Sequence, residues 1–415
     1  MADVKKVTFM PLGLTRTSLV FSSIGHFYIH LFTAFYAVIV VTMADAQLWR
    51  MSYEELLQLW TLGALLLGVC AIPAGRLSDS WGAPFMMMIF FIGMGVSSIA
   101  CGFADTPSFL VGSLAGIGLF ASIYHPVGIP WLIRMAKADK VGKMLAINGV
   151  FGSFGTAAAG ILTGALIDGV GWRSAFYAPG VVSLVTGLVM AWFLLRGKLA
   201  ETKLHAEQPK NAHSRSDMFR VFAILLVSMS VGGIIYHVLQ IALPKLFSER
   251  LQDFLGDGAL GVGAVFSSVF FLGGVMQIIG GFLADRFPLK TIYIVCWCFQ
   301  IFVLSAIAAA ADIGTVAFAT LAVMVNVASL PAENMLLASY TPPRRHGLAF
   351  GVKFVLAFIA APISIQLVAW VRFLTGDFTW LFAGLGVATA IVFVILFALP
   401  QEGVRRPVAM SSGAE

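Results

Sequence analysis

The chain has 415 residues, of which 59% are hydrophobic and 11% charged, and a formal net charge of +6. A soluble domain carries about 25% charged residues. So few charges could not cover a soluble protein of this length, which excludes most soluble enzymes and nucleic-acid binders; hydrophobicity this high also excludes a disordered chain. What remains is an all-α polytopic membrane protein, whose basic excess belongs to loops on one face of the bilayer rather than to a nucleic-acid site.

A helix needs about 20 apolar residues to cross a bilayer. Twelve such runs occur, at approximately 18–43, 54–75, 84–104, 108–135, 144–168, 174–196, 220–246, 259–281, 289–311, 313–340, 348–373 and 379–400, numbered here as spans 1 to 12. Gly and Pro within them are compatible with membrane helices. Lys5 and Lys6 precede span 1 without a small-residue cleavage site, so span 1 reads as a retained helix and not as a signal peptide. The four cysteines, Cys70, Cys101, Cys296 and Cys298, all lie inside apolar runs and read as packed thiols.

With the N-terminus placed in the cytoplasm, 20 Lys and Arg residues fall on the cytoplasmic side and five on the other: Arg50, Arg173, Lys245, Arg250 and Arg372. This asymmetry predicts that both termini are cytoplasmic, in the inner (plasma) membrane. The longest polar stretch, around 198–219, separates six spans from six. The expected organisation is a six-helix bundle over 1–197, a cytoplasmic linker over 198–219, a second bundle over 220–402 and a tail over 403–415.

The halves repeat. Gly75-Arg-Leu-Ser-Asp79-Ser-Trp-Gly82 follows span 2, and Gly281-Phe-Leu-Ala-Asp285-Arg286-Phe-Pro-Leu-Lys290 follows span 8; Asp79 and Asp285 are 206 residues apart. Pro126 in span 4 and Pro331 in span 10 are 205 apart. Six-helix repeats in one chain are a transporter architecture, and helices interrupted at equivalent places point to the binding site.

These residues resemble the major facilitator superfamily, whose signature after span 2 reads roughly Gly-x-Leu-x-Asp-Arg-x-Gly-Arg-Arg/Lys. Gly75, Leu77, Asp79 and Gly82 match it in the first half, with Ser80 in place of Arg; Gly281, Leu283, Asp285, Arg286 and Lys290 match it in the second, with Pro288 in place of Gly. Gly171-Trp172-Arg173-x-x-Phe176 is also typical, and Gly149, Gly152, Gly155, Gly160 and Gly164 resemble a degenerate form of the glycine-rich helix of drug/proton antiporters. Within the superfamily, Gly25-His26-Phe27 and Tyr124-His125-Pro126 resemble the fosmidomycin-resistance-like drug/proton antiporter group, although His30 and Val127 stand where that group usually has acidic residues. The resemblance implies the major facilitator fold of twelve transmembrane helices in two six-helix bundles. It also implies alternating access around a central path lined mainly by spans 1, 4, 7 and 10.

An ionisable group deep in a membrane span is a functional hypothesis by default. Of the 26 basic and 20 acidic residues, two lie well inside spans: Glu333 in span 10 and Lys353 in span 11. By helix rise they sit about 12 and about 9 Å from the same side, so they are placed to pair. Four of the seven histidines also lie in spans: His26, His30, His125 and His237. His26 and His30 share one helix face. Imidazole suits proton coupling and metal ligation alike, and whether these residues serve protons, substrate or metal stays open. Tyr124, Tyr236, Gln240, Asn326 and Asn334 add hydrogen-bonding groups on the presumed path. Gly75, Asp79, Gly82, Gly281, Asp285 and Arg286, on short loops, are expected to gate, each carboxylate bonding a helix N-terminus within its bundle.

No Gly-x-x-x-x-Gly-Lys-Ser/Thr, Gly-x-Ser-x-Gly or His-Glu-x-x-His motif is present. The expectation is a monomeric secondary transporter without a cofactor, not an enzyme, with protons, a small-molecule substrate and the lipid bilayer as its partners. Its solute would be a small organic, anionic or drug-like molecule moved by proton-coupled efflux. The alternative with the same fold is an importer or facilitator of a metabolite, a siderophore or a metal ion; a non-transporting receptor would need an added cytoplasmic domain.

Overall fold

The computed structural model describes residues 12–136, 140–199, 215–256, 258–341 and 346–400. Most of the expected linker and the expected tail over 403–415 lie outside the described residues. The described chain is helical throughout, as a bilayer requires: with no water available, each peptide group must be satisfied within its own segment.

Eleven helices are long and apolar enough to cross a membrane, and a bent pair makes the twelfth span. Span 1 is Leu12–Ala34 continued by Tyr36–Asp45. Span 2 is built from Tyr53–Gln58, Thr61–Val69 and Ala71–Trp81, with a bend of 47° at Cys70. Span 3 is Ala83–Gly102, span 4 is Pro107–Ala121 with Tyr124–Met135, span 5 is Val141–Val170 and span 6 is Ser174–Leu195. The second half follows with Arg215–Arg250, Ala259–Arg286, Leu289–Ala309, Asp312–Tyr340, His346–Thr375 and Thr379–Leu396 as spans 7 to 12. Spans 2, 7 and 8 run further than the hydropathy suggests, because charged residues continue a helix once it leaves the apolar layer.

The sequence motif around Asp79 and Asp285 therefore needs a correction. These residues, with Gly75, Gly281 and Arg286, are not on loops but in the last turns of spans 2 and 8. Gly82, with φ of 83°, ends the first helix in a conformation that favours glycine. Pro288 follows the end of the second, where it cannot continue the helical hydrogen bonds. Asp79 and Asp285 are exposed and make no hydrogen bond among the described residues; Arg286 lies 3.3 Å over the Phe282 ring.

Span 5 packs on span 8 and span 2 on span 11, and these pairs join the two halves. Glycine makes the first approach possible. A Cβ on Gly160 would strike the Gly263 carbonyl and one on Gly263 the Gly160 carbonyl, while a Cβ on Gly164 would come within 2.6 Å of the Ala259 carbonyl oxygen. Small residues let membrane helices meet backbone to backbone. Arg173, of the Gly-Trp-Arg motif, gives its guanidinium to the carbonyls of Gly102 and Ala104 at the end of span 3 and pairs with Asp105 at 2.8 Å. Arg250 does the same for Ile307 and Ala310 at the end of span 9.

Candidate functional site

Polar side chains collect at three places. The first is in the amino-terminal half, where spans 1, 4 and 5 meet. The break between Ala121 and Tyr124 lies just ahead of Pro126, which has no N–H to donate to the preceding turn. Here the Tyr124 hydroxyl donates to the Ser22 carbonyl at 2.9 Å and accepts from Asn148 Nδ2 at 3.0 Å. Ser22 Oγ donates to the Gly128 carbonyl at 3.1 Å and lies 3.2 Å from Asn148 Nδ2. All three side chains are buried.

Three imidazoles sit beside this network. His26 stacks on Tyr124 with ring centroids 5.0 Å apart, and lies 5.0 Å from His30 and 5.5 Å from His125; His30 and His125 are 5.8 Å apart. One nitrogen from each of the three falls within 4.8 Å of the others. His26 Nδ1 is 2.8 Å from the Asn148 carbonyl; a carbonyl only accepts, so Nδ1 carries the hydrogen and Nε2 keeps its lone pair. Gly152 makes room for this ring, since a Cβ there would come within 2.7 Å of it. His125 packs against Phe354 and Phe358 of span 11, at 5.5 and 5.3 Å, so the cluster lies where the halves meet. His237 on span 7 has Nε2 3.1 Å from the Ala357 carbonyl of span 11, and Gln240, one turn on, is buried. Tyr236 reaches Thr156 at 3.4 Å, and Asn326 Nδ2 donates to the Gly232 carbonyl at 3.3 Å.

The second place is in the carboxy-terminal half. Lys353 Nζ lies 2.6 Å from Glu333 Oε1, with the two side chains 13% and 5% exposed. The Tyr293 hydroxyl donates to Glu333 Oε2 at 2.7 Å and lies 2.9 Å from Ser228 Oγ. Asn334 Oδ1 is a further acceptor for Lys353. Spans 7, 9, 10 and 11 thus meet on one carboxylate.

The two networks are counterparts. Ser22 and Ser228 are 206 residues apart, and Asn148 and Lys353 are 205 apart, the offsets that separate the aspartates and the prolines of the repeat. A neutral network in one half faces a charged one in the other. Of the residues the sequence singles out for one path, the structure brings together Glu333, Asn334 and Lys353, and separately His26, His30, Tyr124 and His125; the sequence reading does not include Ser22, Asn148, Ser228 or Tyr293. The repeat offset is the signal that reaches the first three of these. Tyr293, a lone phenol in an apolar span, has no such mark.

The third place is a seal between the halves at the end where spans 1, 5, 7 and 11 terminate. Arg372 Nε is 2.8 Å from Glu54 Oε1 and its Nη1 is 3.0 Å from Glu249 Oε2. Lys245 pairs with Asp45 at 3.3 Å. Asp168 accepts from the backbone N–H of Ala259 and of Leu260, each at 2.9 Å, capping span 8 from the other half, where the helix dipole favours an anion. Gln366 Nε2 donates to Thr61 at 2.8 Å. Among the described residues the ion pairs that join the halves, Arg372 with Glu54 and Lys245 with Asp45, lie at this end.

Comparison with known proteins agrees with this architecture. The profile of the Major Facilitator Superfamily matches residues 22–352. The chain is 23% identical over 325 residues to the voltage-gated purine nucleotide uniporter of Homo sapiens, covering 69% of this chain and 70% of that protein. It is 32% identical over 130 residues to the tetracenomycin C resistance and export protein of Streptomyces glaucescens, covering 30% of this chain and 24% of that protein. Among solved structures, a D-xylose-proton symporter superposes with a TM-score of 0.74 at 14% identity, covering 93% of this chain and 98% of that one.

Proposed function

This chain belongs to the Major Facilitator Superfamily, and on that premise we propose that it carries a small organic anion across the membrane by alternating access, with Glu333 as its proton carrier. The observation that carries the reading is the buried pair of Glu333 and Lys353. While Glu333 is ionised, Lys353 is neutralised within the protein. A proton on Glu333 frees the ammonium, still held by Asn334, for an anionic group of the solute. Proton and anion then bind together and move in the same direction. The human relative, named for purine nucleotides, handles anions too.

The positive-inside asymmetry supports placing the sealed end outside and both termini in the cytoplasm. In this reading Asp79 and Asp285, exposed at the ends of spans 2 and 8, engage when the cytoplasmic end closes. The division of the chain at 198–219 separates the two moving bodies, and a single chain is the transporting unit.

A second reading is proton-driven export of a drug-like solute. It is favoured by the resemblance of Gly25-His26-Phe27 and Tyr124-His125-Pro126 to the fosmidomycin-resistance group and by the Streptomyces exporter. Counter-movement requires solute and proton to compete for one group, so such a solute would displace Lys353 from Glu333 and would be a cation.

Both readings meet in one experiment. Purified protein in liposomes, screened with carboxylates, phosphonates and lipophilic cations under a pH gradient, should accumulate an anion on the side to which protons run. Cation movement against the protons would establish export instead. A Glu333→Gln variant should fold and lose the pH response; full coupling in that variant would remove Glu333 from the mechanism.

A further inference from the structure

We propose that His26, His30 and His125 form a binding site for one divalent transition metal of the zinc, cobalt and nickel class, set between the two halves. The site is independent of the proton-coupled pair, and the inference stands whether or not Glu333 carries the proton.

The donor set fits that class. Three imidazole nitrogens within 4.8 Å of one another, with no carboxylate in the group, are a nitrogen-only set that borderline metals accept and magnesium or calcium do not. Two of the ligands are at i and i+4 of one helix, where their rings project from one face. A tetrahedral zinc with bonds of about 2.0 Å holds its ligand atoms roughly 3.3 Å apart, so shifts of about 1 Å in three side chains complete the geometry.

The surroundings are those of a ligand sphere. His26 gives its Nδ1 hydrogen to the Asn148 carbonyl, which fixes the tautomer and leaves Nε2 with its lone pair; metal-bound histidines are held in this way by an outer partner. His125 Nδ1 is buried with no hydrogen-bond partner, a polar atom that a purely structural role leaves uncompensated. Tyr124, Phe354 and Phe358 form an aromatic wall around the rings. Because His125 touches span 11 of the other half while His26 and His30 belong to span 1, a bound metal would sit on the route between the halves, with its fourth position left for water or an oxygen of the solute.

The test uses the untagged full-length protein in detergent and cobalt(II) as probe. Tetrahedral coordination by the protein gives strong visible absorption that hexaaqua cobalt lacks. One equivalent should saturate this signal, zinc should displace it, and His30→Gln or His125→Asn should weaken binding by at least the roughly 10–100-fold that even outer-partner changes produce. His125→Cys keeps a ligand and should add a thiolate-to-cobalt charge-transfer band, which a misfolded protein would not show. Glu333→Gln should bind cobalt as the parent does. A spectrum unchanged from cobalt in buffer, or one unaltered by the His30 and His125 substitutions, overturns the site. Proton-driven flux retained in Glu333→Gln, with cobalt binding unchanged, would count against the proposed transport mechanism and leave the metal site standing. Uptake of radioactive zinc into liposomes would make the metal cargo; binding without uptake would make it a resident ion.

Discussion

Glu333 is held by two donors, Lys353 and Tyr293, and each half of the ion pair answers for the other. Removing one partner of a buried pair leaves an uncompensated charge and costs about 3–5 kcal/mol, whereas replacing both with apolar groups is often neutral. Lys353→Met should therefore lower the melting temperature sharply. Lys353→Met combined with Glu333→Leu should recover most of that loss while remaining unable to respond to pH, as read by thermal melting and flux in parallel; no recovery in the double variant would mean the pair is not an isolated unit. Much of this was legible in the sequence. Two deep charges of opposite sign at similar depth identify each other. Their partners were less legible: Ser228 is marked only by its repeat offset from Ser22, and Tyr293 is a polar residue of a kind that apolar spans carry for many reasons. The charges of the seal were misleading in another way. Nothing in the sequence links Asp45, Glu54, Lys245, Glu249 and Arg372 to one another, since only the convergence of four helix ends brings them together. Four of the five basic residues of the sparse side turn out to have occupations: Arg173 and Arg250 cap helices, and Lys245 and Arg372 join the halves.

At the scale of an element, span 5 shows what the run of five glycines from Gly149 to Gly164 does. Gly152 accommodates the His26 ring, Gly155 meets the Phe27 carbonyl, and Gly160 and Gly164 meet span 8; a Cβ on Gly149 would touch nothing within 4 Å. The glycine-rich pattern visible in the sequence thus has a packing cause at four of its five positions. Gly160→Leu should separate spans 5 and 8 at a cost of about 1–3 kcal/mol or more from overpacking. Gly149→Ala on the same helix should be neutral or stabilising by up to about 1 kcal/mol, as expected for glycine in a helix interior. Thermal melts of the two variants compare them directly, and equal destabilisation would refute the packing assignment. The broken form of spans 1, 2 and 4 was less legible. Pro126 marks the break of span 4, and Pro73, which leaves the Val69 carbonyl without its helical donor, marks the 47° bend at Cys70 in span 2; the break of span 1 at Phe35 has no proline beside it.

At the scale of the whole molecule, the seal sets the conformation. Arg372 alone joins Glu54 of the first half to Glu249 of the second. Arg372→Gln removes the ion pair to Glu54 that crosses the halves, worth about 1 kcal/mol, so the seal should open about fivefold more often. Labelling of a cysteine placed at Thr61, in a chain freed of Cys70, Cys101, Cys296 and Cys298, reads this opening; an unchanged labelling rate would show that packing, not charge, closes this end. Joining Asp45→Cys to Lys245→Cys with a bifunctional thiol reagent should arrest flux, and reduction should restore it if the cross-link is made reducible.

The neutrality of the Glu333–Lys353 pair has a further consequence for leakage. An empty carrier holds a paired carboxylate and ammonium and has no net charge at that depth. A carrier loaded with one proton and one monovalent anion has none either. Only the half-loaded form, with its proton but without its anion, carries a bare ammonium through the low-dielectric interior, and that form is penalised by several kcal/mol. Slippage of protons without solute is thereby suppressed by electrostatics alone, with no dedicated gate. The cycle should also be electroneutral for a monovalent anion, so clamping the membrane potential with potassium and valinomycin should leave its rate unchanged, although each net charge moved across 100 mV would be worth about 2.3 kcal/mol.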